Sequence, residues 1–236
     1  MNFWYLLLLL VVNFTLLGVS YKLFGKKGVY GFIVLSVIAA NIQVNKGVMF
    51  TFFGIDIEAT LGNVMFGGVF LATDLLNEVF GKKTAQRAVM MSIYANVSFI
   101  IVMFVSTLFI GLSYSSDYNN ALELFFGING GALKAVIVGN VVYFISQSLD
   151  VLVYDKIRQK LSSYPLLFIR NNGSTLISQF VDTVLVSFGF ALVGIFPFDI
   201  IGGIIISTVA IKYIVALLDT PFLYIMAKLK PLDNEK

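Results

Sequence analysis

The chain has 236 residues, 58% of them hydrophobic and 12% charged, with a formal net charge of +3 and a mean hydropathy of +0.92, the composition of an integral membrane protein. It contains no Cys and no His, which excludes disulfides, thiol nucleophiles, Cys/His metal sites and imidazole acid–base chemistry, so neither a metal nor a cofactor is expected. The small positive charge is accounted for by basic residues at membrane helix ends, and no nucleic-acid partner is expected. Counted against the roughly 20 residues needed to cross a bilayer, apolar runs fall at residues 3–21, 28–45, 58–80, 86–112, 131–154, 174–196 and 200–227. The first has no basic leader and no small-residue cleavage site after its leucine run, so it reads as a helix rather than a signal peptide. No mostly polar stretch is long enough for a separate domain. The fold class expected is therefore all-α, a polytopic membrane protein with seven transmembrane helices in a single domain over 1–236.

The charges of the connections orient these segments. Lys22, Lys26 and Lys27 follow the first, Lys82, Lys83 and Arg87 the third, Lys156, Arg158, Lys160 and Arg170 the fifth, and Lys228, Lys230 and Lys236 the seventh. The other connections carry Lys46 with Asp56, Glu58, Asp117, Glu123 and Asp199. An alternating excess of Lys and Arg marks the cytoplasmic side, placing the N-terminus outside and the C-terminus inside. Residues 117–128 read as a short interfacial helix, with Leu122, Phe125 and Phe126 on the membrane and the acids toward water.

Polar residues recur inside the spans at helical spacing. Asn140, Tyr143, Gln147, Asp150 and Tyr154 step by three and four residues along the fifth, so they share a face. The third carries Asn63, Gly67, Asp74 and Glu78, the sixth Thr175, Gln179 and Asp182, the seventh Thr208, Lys212 and Asp219, and the second Asn41 and Asn45. Amides and hydroxyls in such stripes commonly serve helix packing, at about 1 kcal/mol each. The carboxylates need more, because an ionisable group in a spanning segment is usually turned to a cavity, a partner or a pathway. Asp74, Glu78, Asp150 and Asp182 outnumber Lys212. Carboxylates, amides and hydroxyls beneath aromatic rings suit a flat heterocycle with donors on its edge. Composition alone does not choose that ligand over a sugar, a cation or a peptide.

The run Ala72-Thr73-Asp74-Leu75-Leu76-Asn77-Glu78-Val79-Phe80-Gly81-Lys82-Lys83, then Ser146-Gln147-Ser148-Leu149-Asp150-Val151, Arg170-Asn171-Asn172-Gly173-Ser174-Thr175 through Asp182-Thr183, and Lys212 with Thr220-Pro221-Phe222-Leu223-Tyr224 resemble the queuosine-precursor transporter family, also described as vitamin uptake transporters. The resemblance covers roughly residues 39 to 228. It implies a six-helix core, here 28–227, preceded by an extra N-terminal helix at 3–21. It further implies a prokaryotic inner-membrane, multi-pass importer of 7-deazaguanines, such as the cyano or aminomethyl precursor or queuine, which feed tRNA modification. The family motif residues carried over are Asn41, Asp74, Glu78, Gln147, Asp150, Ser174, Thr175, Asp182, Thr183 and Lys212. From these and the helical faces, Asn41, Gln147, Asp150, Asp182, Thr175 and Gln179 are the expected substrate contacts. Asp74, Glu78 and Lys212 are expected in a charge network or gate, with Glu78 tied to Lys82 or Lys83 as a helix-end pair. Phe66, Phe70 and Phe144 form a candidate stacking ring, for which plain packing is the stronger reading.

Distant similarity to the substrate-binding subunits of energy-coupling-factor vitamin transporters provides the alternative, a capture module needing an ATPase partner. An enzyme is not expected. Two Asp residues could in principle share a proton as in intramembrane aspartyl proteolysis, but no Gly-x-Gly-Asp occurs, and the lack of His excludes rhomboid-type dyads and zinc proteases. The partners expected are the small-molecule deazaguanine and the lipid bilayer, with a homodimer admissible.

Overall fold

A computed structural model describes residues 2–52, 54–128 and 131–232. Its elements run α1 (Asn2–Gln43), β1 (Gly47–Phe52), β2 (Ile55–Thr60), α2 (Leu61–Phe80), α3 (Lys82–Ser106), α4 (Ser116–Phe126), α5 (Gly131–Lys160), α6 (Leu167–Leu192) and α7 (Ile201–Lys228). The protein is thus predominantly α-helical, and five of the helices, α1, α3, α5, α6 and α7, are long and apolar enough to cross a membrane. Helix α2 lies at the centre, packed against α1, α3, α5 and α7. Its buried face includes Thr73, Asp74 and Asn77, which are fully inaccessible.

At 42 residues, a straight α1 would be about 63 Å long, twice a bilayer's apolar thickness. It is broken at Gly25, where φ is 55° and ψ −137°. Ser20 Oγ donates to the carbonyl of Gly28 at 2.8 Å, although eight residues of straight helix would set them about 12 Å apart. The chain therefore doubles back at Gly25. A side chain there would hold a backbone conformation that costs on the order of 1–3 kcal/mol. Gly25→Ala is expected to lower the thermal midpoint of the detergent-solubilised protein. Gly31→Ala, where an added Cβ meets nothing within 4 Å, should leave it unchanged.

The structure departs from the sequence expectation in several places. Residues 46–60 form a β-hairpin rather than a loop and the start of a helix: β1 pairs antiparallel with β2, with Val48 opposite Ala59 and Phe50 opposite Ile57. Phe50 and Ala59 are buried while Met49 is exposed, the alternation of a strand with one packed face. The fourth segment stops at Ser106 instead of reaching 112, and the sixth begins at Leu167 instead of 174, which draws Arg170 and Asn171 from a loop into a helix. The short helix expected at 117–128 is present as α4.

At the hairpin end of the bundle, α1 and α2 meet at Gly62, whose missing Cβ would lie 2.8 Å from the carbonyl oxygen of Ala40. That close approach brings Asn41 of α1 beside the first turns of α2 and so sets one wall of the cavity described next.

Candidate functional site

A cavity of about 130 Å³ opens among α1, α2, α5, α6 and α7 near the hairpin. Asn41 and Asn63 supply amides to its wall, Phe66, Tyr143, Phe190 and Phe196 supply rings, and Thr208, Asp182 and Lys212 complete the polar part. Phe66 and Tyr143 stand with centroids 5.8 Å apart and planes tilted by 38°, and the Tyr143 hydroxyl is shared with Ser92 Oγ at 2.9 Å. Asn41 is oriented by its own helix, its Nδ2 donating to the carbonyl of Val37 at 2.8 Å. Its Oδ1 lies 3.7 Å from where a Cβ of Gly139 would stand; the glycine leaves that carbonyl uncovered.

The charged floor of the cavity is one ion pair. Lys212 Nζ donates to Asp182 Oδ2, and Ser146 Oγ donates to Asp182 Oδ1 at 2.7 Å. Lys212 is 2% exposed and Asp182 18%, so the lysine is desolvated and the carboxylate faces the cavity. An ammonium and a carboxylate side by side present donor and acceptor to whatever enters.

One to three helical turns deeper, about 5–16 Å, a second polar region crosses the bundle without reaching the cavity. Thr175 Oγ1 donates to Asp74 Oδ2 at 3.2 Å, Ser178 Oγ to Asp150 Oδ1 at 2.8 Å, and Thr73 Oγ1 to Gln147 Oε1 at 3.0 Å. Asn171 Nδ2 donates to Asp219 Oδ1 at 2.8 Å. These side chains are all 0–1% exposed.

A third layer closes the far end. Arg170 Nη2 donates to Glu78 Oε1 at 2.9 Å, and its Nη1 to the carbonyls of Leu161 and Ser163 at 2.6 and 2.9 Å. The Tyr154 hydroxyl donates to Glu78 Oε2 at 2.8 Å, and Arg158 Nε lies 3.7 Å from the same oxygen. This knot joins α2, α5 and α6.

Of the residues expected at the site, Asn41, Asp182 and Lys212 come together around the cavity, while Gln147, Asp150, Thr175 and Gln179 lie among the buried residues below it. One expected pairing and one expected network are corrected. Glu78 is held by Arg170, Arg158 and Tyr154, and Lys82 instead lies 3.7 Å from Asp155; folding across helices brings in a buried guanidinium that the lysines' solvated positions cannot match. Lys212 pairs with Asp182 rather than joining Asp74. The aromatic ring is also rearranged: Phe66 lines the cavity, Phe70 is packed in the core at 1% exposure, and Phe144 points outward at 45%. Phe190 and Phe196 take their place, a pair that the sequence does not single out among 23 phenylalanines. Ser178, which holds Asp150, is likewise not singled out, and Ser146, which holds Asp182, stands in a motif run without an assigned role.

Comparison with known proteins bears on what such a cavity carries. Residues 60–226 match the family described as "Putative vitamin uptake transporter". The chain is 40% identical, over 99% of its own length and 97% of the other's, to "Probable queuosine precursor transporter" of Bacillus subtilis (strain 168). No solved structure matches.

Proposed function

Because the chain belongs to the queuosine precursor transporter family, we propose that it is a multi-pass inner-membrane importer of a 7-deazaguanine destined for tRNA modification. The observation that carries this reading is the pairing, in one cavity, of the Asp182–Lys212 ion pair with aromatic walls. A guanine-like edge offers adjacent N–H donors beside a carbonyl acceptor. Asp182 accepts from the donors, Lys212 donates to the carbonyl, Asn41 and Asn63 complete the edge, and Phe66, Tyr143 or Phe190 covers the ring face. Gln147, Thr175 and Gln179 belong to the path beneath.

The bilayer arrangement we favour has seven crossings, with α1 crossing twice about Gly25 and α2 once. The alternation of basic connections supports an outside N-terminus and a cytoplasmic C-terminus. The cavity then faces outward and the Arg170–Glu78 knot is the closed inner gate, as in transporters that rock helices around a fixed central site.

The test is uptake in a bacterium that lacks its own queuosine-precursor transporter and cannot synthesise the precursors, supplied with this gene alone and one deazaguanine at a time. Queuosine recovered in tRNA with one of the compounds is the expected result and identifies the substrate. Failure with all of them, with the protein present in the membrane, would favour a capture module that needs an ATPase partner.

A further inference from the structure

Between the cavity and the inner knot, Asp74 on α2 and Asp150 on α5 are both held by neighbouring hydroxyls of α6, Asp74 by Thr175 and Asp150 by Ser178 three residues on. Both are 0% exposed. Thr175 and Ser178 occupy one oxygen of each, and Asp74 Oδ1 and Asp150 Oδ2 have no donor. Two neighbouring carboxylates buried in a dry interior without a cation cannot both stay ionised, and one proton shared between them relieves the repulsion. Beside them on α7, Asp219 also keeps a buried oxygen, Oδ2, without a donor.

Among the described residues, the cations that pair with acids in this region pair with Glu78 and Asp182 instead. On α6, Arg170 is committed to Glu78 of α2, and Asp182 is matched by Lys212 of α7. Tyr154 of α5 donates to Glu78. The basic residues of α3, Lys82, Lys83 and Arg87, sit in its first turns, and Lys22, Lys26 and Lys27 sit at the bend of α1. Among the described residues no three side chains gather as a metal site.

We propose that Asp74 and Asp150 share an exchangeable proton, and that this proton moves inward with the substrate and drives its uptake. The proposal rests on the importer reading above. In each cycle a proton arriving from the cavity side forms an O–H bond on the carboxylate pair. The proton is given up by a hydronium on the cavity side, whose O–H bond breaks as the new one forms; when the inner knot opens, the carboxyl O–H breaks in turn and a water on the cytoplasmic side takes the proton. Asp182 and Lys212, one to two helical turns away, keep the substrate site separate from the proton site.

Two measurements test this on the full-length protein. The first needs no substrate: infrared difference spectra of detergent-solubilised protein between neutral and alkaline pH should show a protonated-carboxyl C=O band, shifted in D₂O and lost in Asp74→Asn and in Asp150→Asn. Absence of the band in the wild type overturns the proton site. The second uses proteoliposomes and the deazaguanine that rescues uptake. An inward proton gradient or an interior-negative potential should drive accumulation above equilibrium and acidify the lumen. In Asp74→Asn and Asp150→Asn that accumulation should be lost while counterflow exchange at equal pH persists. Accumulation that ignores the proton gradient, or follows a sodium gradient instead, overturns the coupling and leaves the importer reading standing. A clear carboxyl band with neither uptake nor counterflow of any deazaguanine would mean that the importer reading itself has failed, and the coupling with it.

Discussion

Asp182→Asn is expected to abolish deazaguanine binding while the protein remains folded and inserted. The carboxylate faces the cavity and holds both Lys212 and Ser146. Each ligand hydrogen bond to a charged carboxylate is worth about 1.5–3 kcal/mol, so losing two costs roughly 100-fold to 20,000-fold in Kd at 1.4 kcal/mol per tenfold. An asparagine fills the same volume and still accepts from Ser146, so the bundle has no reason to repack. What it leaves is an unpaired ammonium at 2% exposure, whose burial alone would lower stability. The double substitution Asp182→Asn with Lys212→Met separates the two effects. Its thermal midpoint should recover toward wild type, because the stranded charge is gone, while its binding stays lost. Equilibrium binding of radiolabelled ligand to purified single and double variants is the measurement, and retained affinity in either removes Asp182 from the base edge.

Arg170→Met should be the most destabilising single substitution at the inner end. The guanidinium is completely inaccessible and serves three acceptors, Glu78 on α2 and the carbonyls of Leu161 and Ser163 in the connection before α6. Methionine retains the bulk but satisfies none of them, leaving Glu78 to Tyr154 and the longer contact with Arg158. Breaking a buried pair by removing one partner costs about 3–5 kcal/mol. For a chain of this size, each kcal/mol moves the midpoint by about 2–4 °C, so a fall of about 6–20 °C is expected in detergent. Arg170→Lys should recover little, because a single ammonium cannot reproduce a planar fork reaching three acceptors on two elements. An unshifted midpoint in Arg170→Met would show that the knot contributes nothing to the closed end.

These two residues also mark how far the sequence could be read. The polar stripes were legible because residues three and four apart share a helical face whatever the fold, so Asn41, Asp182 and Lys212 each stand out, although spacing assigns Lys212 no partner. A stripe, however, runs the whole length of a helix, and a cavity occupies one depth. Thr175 and Gln179 share their face with Asp182 yet lie about two turns and one turn below it, and periodicity carries no information about depth. Partner choice was illegible for a similar reason. Spacing along α2 offers Lys82 to Glu78, whereas Arg170 is 92 residues away and had been counted as a loop charge. The β-hairpin was missed because Val48, Met49, Phe50 and Phe52 make a short apolar run, which looks the same in a strand and at the end of a helix.

The bend at Gly25 also bears on the order in which the molecule can be assembled. The segment before it is seated by the last part of the chain: the Phe14 and Phe222 rings stand 5.0 Å apart, Tyr21 donates to the carbonyl of Leu229 across 208 residues, Lys22 Nζ donates to that of Lys230, and the amide of Leu232 donates to that of Lys22. Ribosomes add about 5–20 residues per second, so the first segment to emerge waits about 10–40 s for its final neighbours. During biosynthesis it is a hydrophobic segment without a seat, held by lipid or by the insertion machinery. A chain released before residue 222 would leave it there, although no residue of that segment is missing.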